Sequence, residues 1–302
     1  MNKNRSLLMI AVMFSIFSYV KAQEPTGLER IIQKGAVVEK LADGFEFTEG
    51  PAVDKKGSIY FTDQPNDRIM VYNFKTGLSV FLQPAGRANG LYLDKKGYLW
   101  ACADEKNQVW RISPDKKVEI ITGTFNDKPY NGPNDIWITS TGHIYFTDPF
   151  YVRKYWDHTN MPQDKECVYY IKPDLKTVVR IVEDLRGPNG IVSTPDGKKI
   201  YIADIKGNKT WSYTVNPDGS LTDKTLFCEM GSDGITIDSE GNLYLTGRGV
   251  TVFDKTGKKL GNISLPERSA TNVCFGDKNR KSLIITAGKG LYRIKTRVKG
   301  TY

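Results

Sequence analysis

"AVDKKGSIYFTD", residues 52–63, carries the unit from which the rest of the chain is built. A short apolar run meets the turn Asp54-Lys55-Lys56-Gly57, and the alternating run Ile59-Tyr60-Phe61-Thr62-Asp63 follows. Alternation of this kind on both sides of a glycine turn predicts two antiparallel strands. The unit returns as "YLDKKGYLWACAD" (92–104), "WITSTGHIYFTD" (137–148), "VSTPDGKKIYIAD" (192–204), "TIDSEGNLYLTGR" (236–248) and "FGDKNRKSLIITAG" (275–288). Its turn positions, Gly57, Gly97, Gly142, Gly197, Gly241 and Arg280, lie 40, 45, 55, 44 and 39 residues apart. A period of roughly forty residues, with room for about four strands, is the signature of a β-propeller. Six copies predict one all-β domain over residues 23–302, a six-bladed β-propeller with four-stranded blades.

After Ile294 too few residues remain for a full sixth blade, whereas "GAVVEKL" (35–41) is a spare strand ahead of the first copy. That N-terminal strand is expected to complete the last blade and close the ring, which removes exposed edges. The 55-residue interval is explained by an insertion at 151–166, "YVRKYWDHTNMPQDKE", aromatic and charged, expected to lie over a site. Residues 1–22 combine a basic start, an apolar run and a small residue, Ala22, at a cleavage point. They read as a secretory signal peptide, too short and too poorly flanked for a membrane span. The expectation is an exported protein, periplasmic or secreted, with no membrane contact after cleavage.

The formal charge is +9, of which Lys3, Arg5 and Lys21 fall in the signal segment, leaving +6. The remaining lysines sit mostly in turns, with no basic stripe interleaved with exposed aromatics, so a nucleic-acid partner is not expected. Cys102, Cys167, Cys228 and Cys274 show no CxxC spacing and read as buried free thiols. A monomer acting on a small molecule is the expectation.

Five residues before each turn begins stand Glu49, Asn89, Asn134, Asn189, Asp233 and Asn272, all carboxylates or carboxamides. Each opens a blade's first strand, which in a propeller lines the central channel. One such residue before glycine is ordinary turn chemistry. Six in register, with glutamate where a turn would not choose it, gather oxygen donors round one axis. Oxygen ligands without histidine or cysteine suit calcium, with magnesium or manganese behind it; zinc usually wants nitrogen or sulfur. A second set, Asp63, Asp104, Asp148, Asp204 and Arg248, ends the second strands on the same side. Turn capping accounts for most of it, and Asp148, leading into the insertion, is the expected exception.

No GxSxG, HExxH, Walker loop or GxGxxG occurs, and His143 and His158 are the only histidines. Serine-hydrolase chemistry lacks its parts. Paired-carboxylate glycoside hydrolysis stays formally open with Glu49 and Asp233; if both bind one metal, neither is free to act as a protonated acid.

"FTEGPAVD", "FTDQPNDRI", "RANGLYLD", "NGPNDIWI", "YFTDPFY", "RGPNGIVSTPDGKKIYIAD", "GSDGITIDSEGNLYL" and "ATNVCFG" together resemble the SMP-30/gluconolactonase/LRE-like family over the whole mature chain. The resemblance implies one divalent cation held by Glu49, Asn189 and Asp233, with Asn134 beside it on water or substrate. It also implies that Asp233 accepts and donates the proton in hydrolysis of a sugar lactone such as glucono-1,5-lactone. Asn89, Asp148 and Tyr151 complete the expected substrate contacts. Where vertebrate-type members carry an arginine two residues before the substrate-side Asn, this chain has Gly132, and their nearby glutamate would fall near Val152. "GPND" and "YFTDP" resemble the bacterial gluconolactonase branch. A propeller that binds a ligand or protein, its cation purely structural, is the competing expectation.

Overall fold

The computed structural model describes residues 27–301, so the signal segment at 1–22 lies outside the described residues. The repeat unit sets the architecture. In the first blade the strands Thr48–Val53, Ile59–Asp63, Arg68–Asn73 and Gly77–Leu82 run antiparallel in chain order from the axis outward. Four further blades repeat this order. The sixth is composite: Asn272–Gly276, Ser282–Ala287 and Gly290–Lys295 are completed outside by Glu39–Ala42. The chain is a six-bladed β-propeller. The closing strand starts later than the 35–41 expected, because Gly35 (φ +77°) turns the chain and Ala36 N–H bonds the Gln33 carbonyl at 2.9 Å. Glu39 then pairs with Arg293 across the closing ladder.

Burial falls from the axis outward. The second strand of the third blade, Ile144–Asp148, is buried at every position, whereas Gly77–Leu82 on the rim of the first is largely exposed. Apolar side chains from adjacent blades interdigitate, Tyr145, Val168, Ile191, Ile200 and Ile202 among them. All four cysteines are free; Cys102, Cys167 and Cys228 are buried, Cys274 half-buried.

At the axis the innermost strands come closer than side chains allow. A Cβ on Gly90 would stand 2.5 Å from the Asn134 carbonyl oxygen and 2.7 Å from Asp135 Oδ1. Gly50 combines a left-handed φ of +50° with an overlap on the Asn89 carbonyl oxygen. The ladders slip by a bulge between Glu49 and Ala52, between Ala88 and Leu91, and between Pro188 and Ile191. Such bulges re-aim the residue they carry, here Glu49, Asn89 and Asn189. Threonine hydroxyls knit one blade to the next: Thr62 Oγ1 donates to the Asn89 carbonyl at 3.0 Å, and Thr271 Oγ1 to the Thr48 carbonyl at 2.7 Å, across the closure.

Gly90→Ala tests this crowding without a conformational penalty, since Gly90 has no positive φ. The added methyl should cost about 1–3 kcal/mol, read as a lower urea midpoint. An unchanged midpoint would show that the axis has slack.

Candidate functional site

The bulges and the axis crowding place the six predicted ring residues at one end of the channel. Asn189 Nδ2 donates to Asp233 Oδ1 at 2.8 Å and to the Tyr151 hydroxyl at 3.3 Å. Glu49 is 1 % exposed, and its Oε2 accepts the Gly50 N–H at 2.7 Å. The Asn272 amide lies close enough to Glu49 and Asp135 to offset part of the rise that burial imposes on both carboxyls. Asn134 is buried and held by its backbone, N–H to the Thr147 carbonyl at 2.9 Å and carbonyl to the Gly90 N–H at 2.7 Å, leaving its side chain uncommitted. Two buried amide oxygens, Asn89 Oδ1 and Asn189 Oδ1, have no hydrogen-bond partner. A buried lone pair without a donor is costly, and two of them beside two carboxylates describe a site that asks for positive charge.

One member escaped the sequence count. Asp135 follows Asn134 where four other copies have glycine, and it stands at the axis with Oδ1 accepting the Ile136 N–H at 3.0 Å. The signal was present in "GPND", where two polar residues precede the strand Ile136–Ile138.

Three carboxylates with little water around them repel one another. Burial pushes Asp135 up to about 7, aided by the charge of Asp233. Burial lifts Asp233 to about 6, against the Asn189 hydrogen bond and the Arg153 charge. Glu49 is raised well above the carboxylate range by burial and by Asp233. Among the described residues no three imidazole, thiolate or carboxylate groups close on one point.

The insertion roofs this end. Arg153 Nε donates to Asp104 Oδ2 at 2.7 Å, the Tyr155 hydroxyl bonds the same oxygen, and Trp156 Nε1 donates to the Asp104 carbonyl at 3.0 Å. Phe150, Trp156 and His158 stack in series, so His158 serves the roof rather than the ring. Tyr151 is thereby delivered to Asn189, and its phenol is pushed up to about 12 by burial. A Cβ on Gly132 would stand 2.8 Å from Asp104 Oδ1 and 3.0 Å from the Trp156 ring, so the insertion fills the space a side chain there would take. Asp148 does not join the site: its two oxygens accept the Asn131 and Gly132 N–H groups at 2.9 and 2.8 Å. It is a loop cap like Asp63, which accepts the Glu46 N–H at 3.0 Å.

A sequence model of the SMP-30/gluconolactonase/LRE-like region matches residues 13–122 and 47–289. The chain belongs to this family. It is similar to a gluconolactonase of Zymomonas mobilis, 27 % identical over 90 % of this chain and 85 % of that protein. A lactonase drp35 of Staphylococcus epidermidis is 28 % identical, over 76 % of this chain and 73 % of its own. Among solved structures, a gluconolactonase from Xanthomonas campestris superposes with a TM-score of 0.82 at 26 % identity, covering 89 % of this chain and 92 % of that one. A calcium-binding protein, regucalcin, from Agrobacterium tumefaciens shares the fold, with a TM-score of 0.74 at 18 % identity over 88 % and 95 % of the two chains.

The raised carboxyls have a measurable consequence. In the unfolded chain aspartates titrate near about 3.9, so between roughly pH 4 and 7 the folded protein binds extra protons. Its stability is then greatest at the acid end of that window and falls as pH rises through it. In cation-free buffer with chelator, wild type should lose up to about 4 kcal/mol relative to Asp135→Asn between pH 4 and 8. Urea unfolding of both proteins at the two pH values reads this directly, and a pH-independent difference would refute it.

Proposed function

We propose that the protein is a lactone-hydrolysing enzyme whose ring of oxygen donors works with a bound divalent cation. The observation that carries the reading is the pairing of Asn189 and Asp233 beside buried Glu49, with the Asn189 and Asn89 amide oxygens left without donors. Such a donor set fits a hard cation, calcium before magnesium or manganese, and zinc last. Glu49, Asn189 and Asp233 would hold it. When bound, it would supply Lewis-acid polarisation of an ester carbonyl and a favourable position for water.

The chain's own groups do the rest. Asp233 is the proton carrier: Asn189 engages Oδ1, which leaves Oδ2 to take a proton from water and return it to the ring oxygen that leaves. In the cation-free protein burial lifts this carboxyl to about 6, and a bound cation would lower it again. Asn134, with its side chain uncommitted, and Asn89 orient the carbonyl or a hydroxyl of the substrate. Tyr151 meets it from the roof, and the stacked aromatics above restrict water. A sugar lactone such as glucono-1,5-lactone suits this site, because an activated ester needs no strong nucleophile. The Zymomonas and Xanthomonas relatives, each named a gluconolactonase, support that substrate class. The reading includes export through residues 1–22 and action as a monomer on a small molecule, with no nucleic acid or membrane partner. N-terminal sequencing of the secreted form and size-exclusion mass measurement check those two parts.

Acid release from a panel of sugar lactones, with and without chelator, tests the whole. Activity should vanish with chelator and return with added cation; chelator-resistant turnover would overturn cation dependence. Asp233→Asn keeps an amide oxygen for a cation and cannot accept a proton, so it should abolish turnover even at saturating cation. Asn134→Ala should lower turnover by about 10²-fold, the scale of one lost positioning contact, with cation affinity nearly intact. Full turnover in Asp233→Asn would make that aspartate a structural ligand.

A further inference from the structure

We propose that the propeller carries a second ligand site, in the opposite mouth of its channel, for an alkyl chain ending in an anionic head. A cavity of about 190 Å³ opens there between the turns that join first and second strands. Its wall is apolar, formed by residues such as Ala52, Leu91, Ile136, Ile191, Ile235 and Val273. Glu49, Asn134, Asn189 and Asp233 do not line it; Asp135 and Asn272 form its inner end and part it from them. Those two polar groups are already engaged, Asp135 Oδ1 by the Ile136 N–H at 3.0 Å and Asn272 Oδ1 by the Val273 N–H at 2.8 Å. The lumen therefore offers an apolar chain a mostly apolar wall and demands little polar partner of it.

The rim supplies the opposite character. Lys55, Lys95 and Arg280 border the cavity, and among the described residues no carboxylate lies within ion-pair distance of them. Asp94, also at the rim, is spent on its own turn: Oδ1 accepts the Lys96 and Tyr98 N–H groups at 2.8 and 2.9 Å, and Oδ2 the Trp100 indole at 3.0 Å. Lys55 Nζ donates to the Lys95 carbonyl at 3.1 Å, which holds its ammonium group at the opening. Arg280 holds a left-handed φ of +56° at the turn position that is glycine in the other five copies. A side chain kept there against the backbone preference faces the same mouth. Three cations against the single carboxylate of Asp94, around a largely apolar well, favour a carboxylate or similar anion with a hydrocarbon tail. At roughly 30 Å³ for a group of water's size, the lumen takes about six methylenes, the length of a medium-chain carboxylate. The site does not depend on the lactonase reading.

Trp137 lines the cavity and serves as an internal reporter. Titration of the full chain with ω-bromo-octanoate should quench tryptophan emission saturably, and unlabelled octanoate should reverse the quench. Octylamine, with the same chain and the opposite charge, should fail to compete. Lys55→Glu with Lys95→Glu, both exposed turn positions, should weaken binding at least about tenfold, whereas Asp233→Asn should bind as wild type does. Absence of saturable quenching at millimolar probe, competition by octylamine equal to that by octanoate, or loss of binding in Asp233→Asn would each overturn the proposal. Calorimetry with octanoate on wild type and on Trp137→Phe checks the location: heat without quenching in the variant supports the lumen, and quenching retained in it refutes it.

Discussion

Six first strands must share one axis, and the space there is smaller than six ordinary strands need. Glycine next to the ring residues removes the side chains that would collide, and the overlaps a Cβ would make at Gly50 and Gly90 measure how tight the approach is. Bulges at Glu49, Asn89 and Asn189 then turn polar side chains toward the axis instead of into the blade interfaces. The chemistry of the site follows from this constraint. Carboxylates carried on such strands cannot separate, and burial leaves them with raised proton affinity, as Glu49, Asp135 and Asp233 show.

A charge cluster of this kind is unstable unless something answers it. The local hydrogen bonds are partial answers: Gly50 N–H to Glu49, Ile136 N–H to Asp135, and the Asn189 amide to Asp233. Arg153 reaches the cluster electrostatically from the insertion while Asp104 holds it in place. The two orphaned amide oxygens show that the protein alone leaves the balance incomplete. A proton on one carboxyl relieves part of the repulsion, which ties folding stability to pH through the same few atoms.

The rest of the channel is built to the opposite specification. Beyond Asp135 and Asn272 the wall is mostly aliphatic and aromatic, and the turns at its far mouth carry Lys55, Lys95 and Arg280 beside Asp94. One tunnel thus has an anionic end and a cationic end with an apolar middle. The insertion at 151–166 roofs only the first, anchored on Asp104 of the neighbouring blade.

Blade number, blade order and the identity of most ring residues were legible in the sequence, because strand alternation and turn glycines are local signals that repeat. Glu49, Asn189 and Asp233 could be aligned by counting back from each turn. Counting could not reveal Asp135, since its departure from the glycine pattern gains meaning only once the axis is known to be crowded. Nor could it separate Asp148 from the site, because the Asn131 and Gly132 N–H groups that occupy its oxygens lie in a loop whose path is set by tertiary packing. Gly132 was visible as an empty position, while the reason, the Trp156 ring and Asp104 filling that space, needed the folded insertion. Local chemistry thus determined what each repeat is, and only closure of the ring decided which of its polar atoms are left facing one another without water.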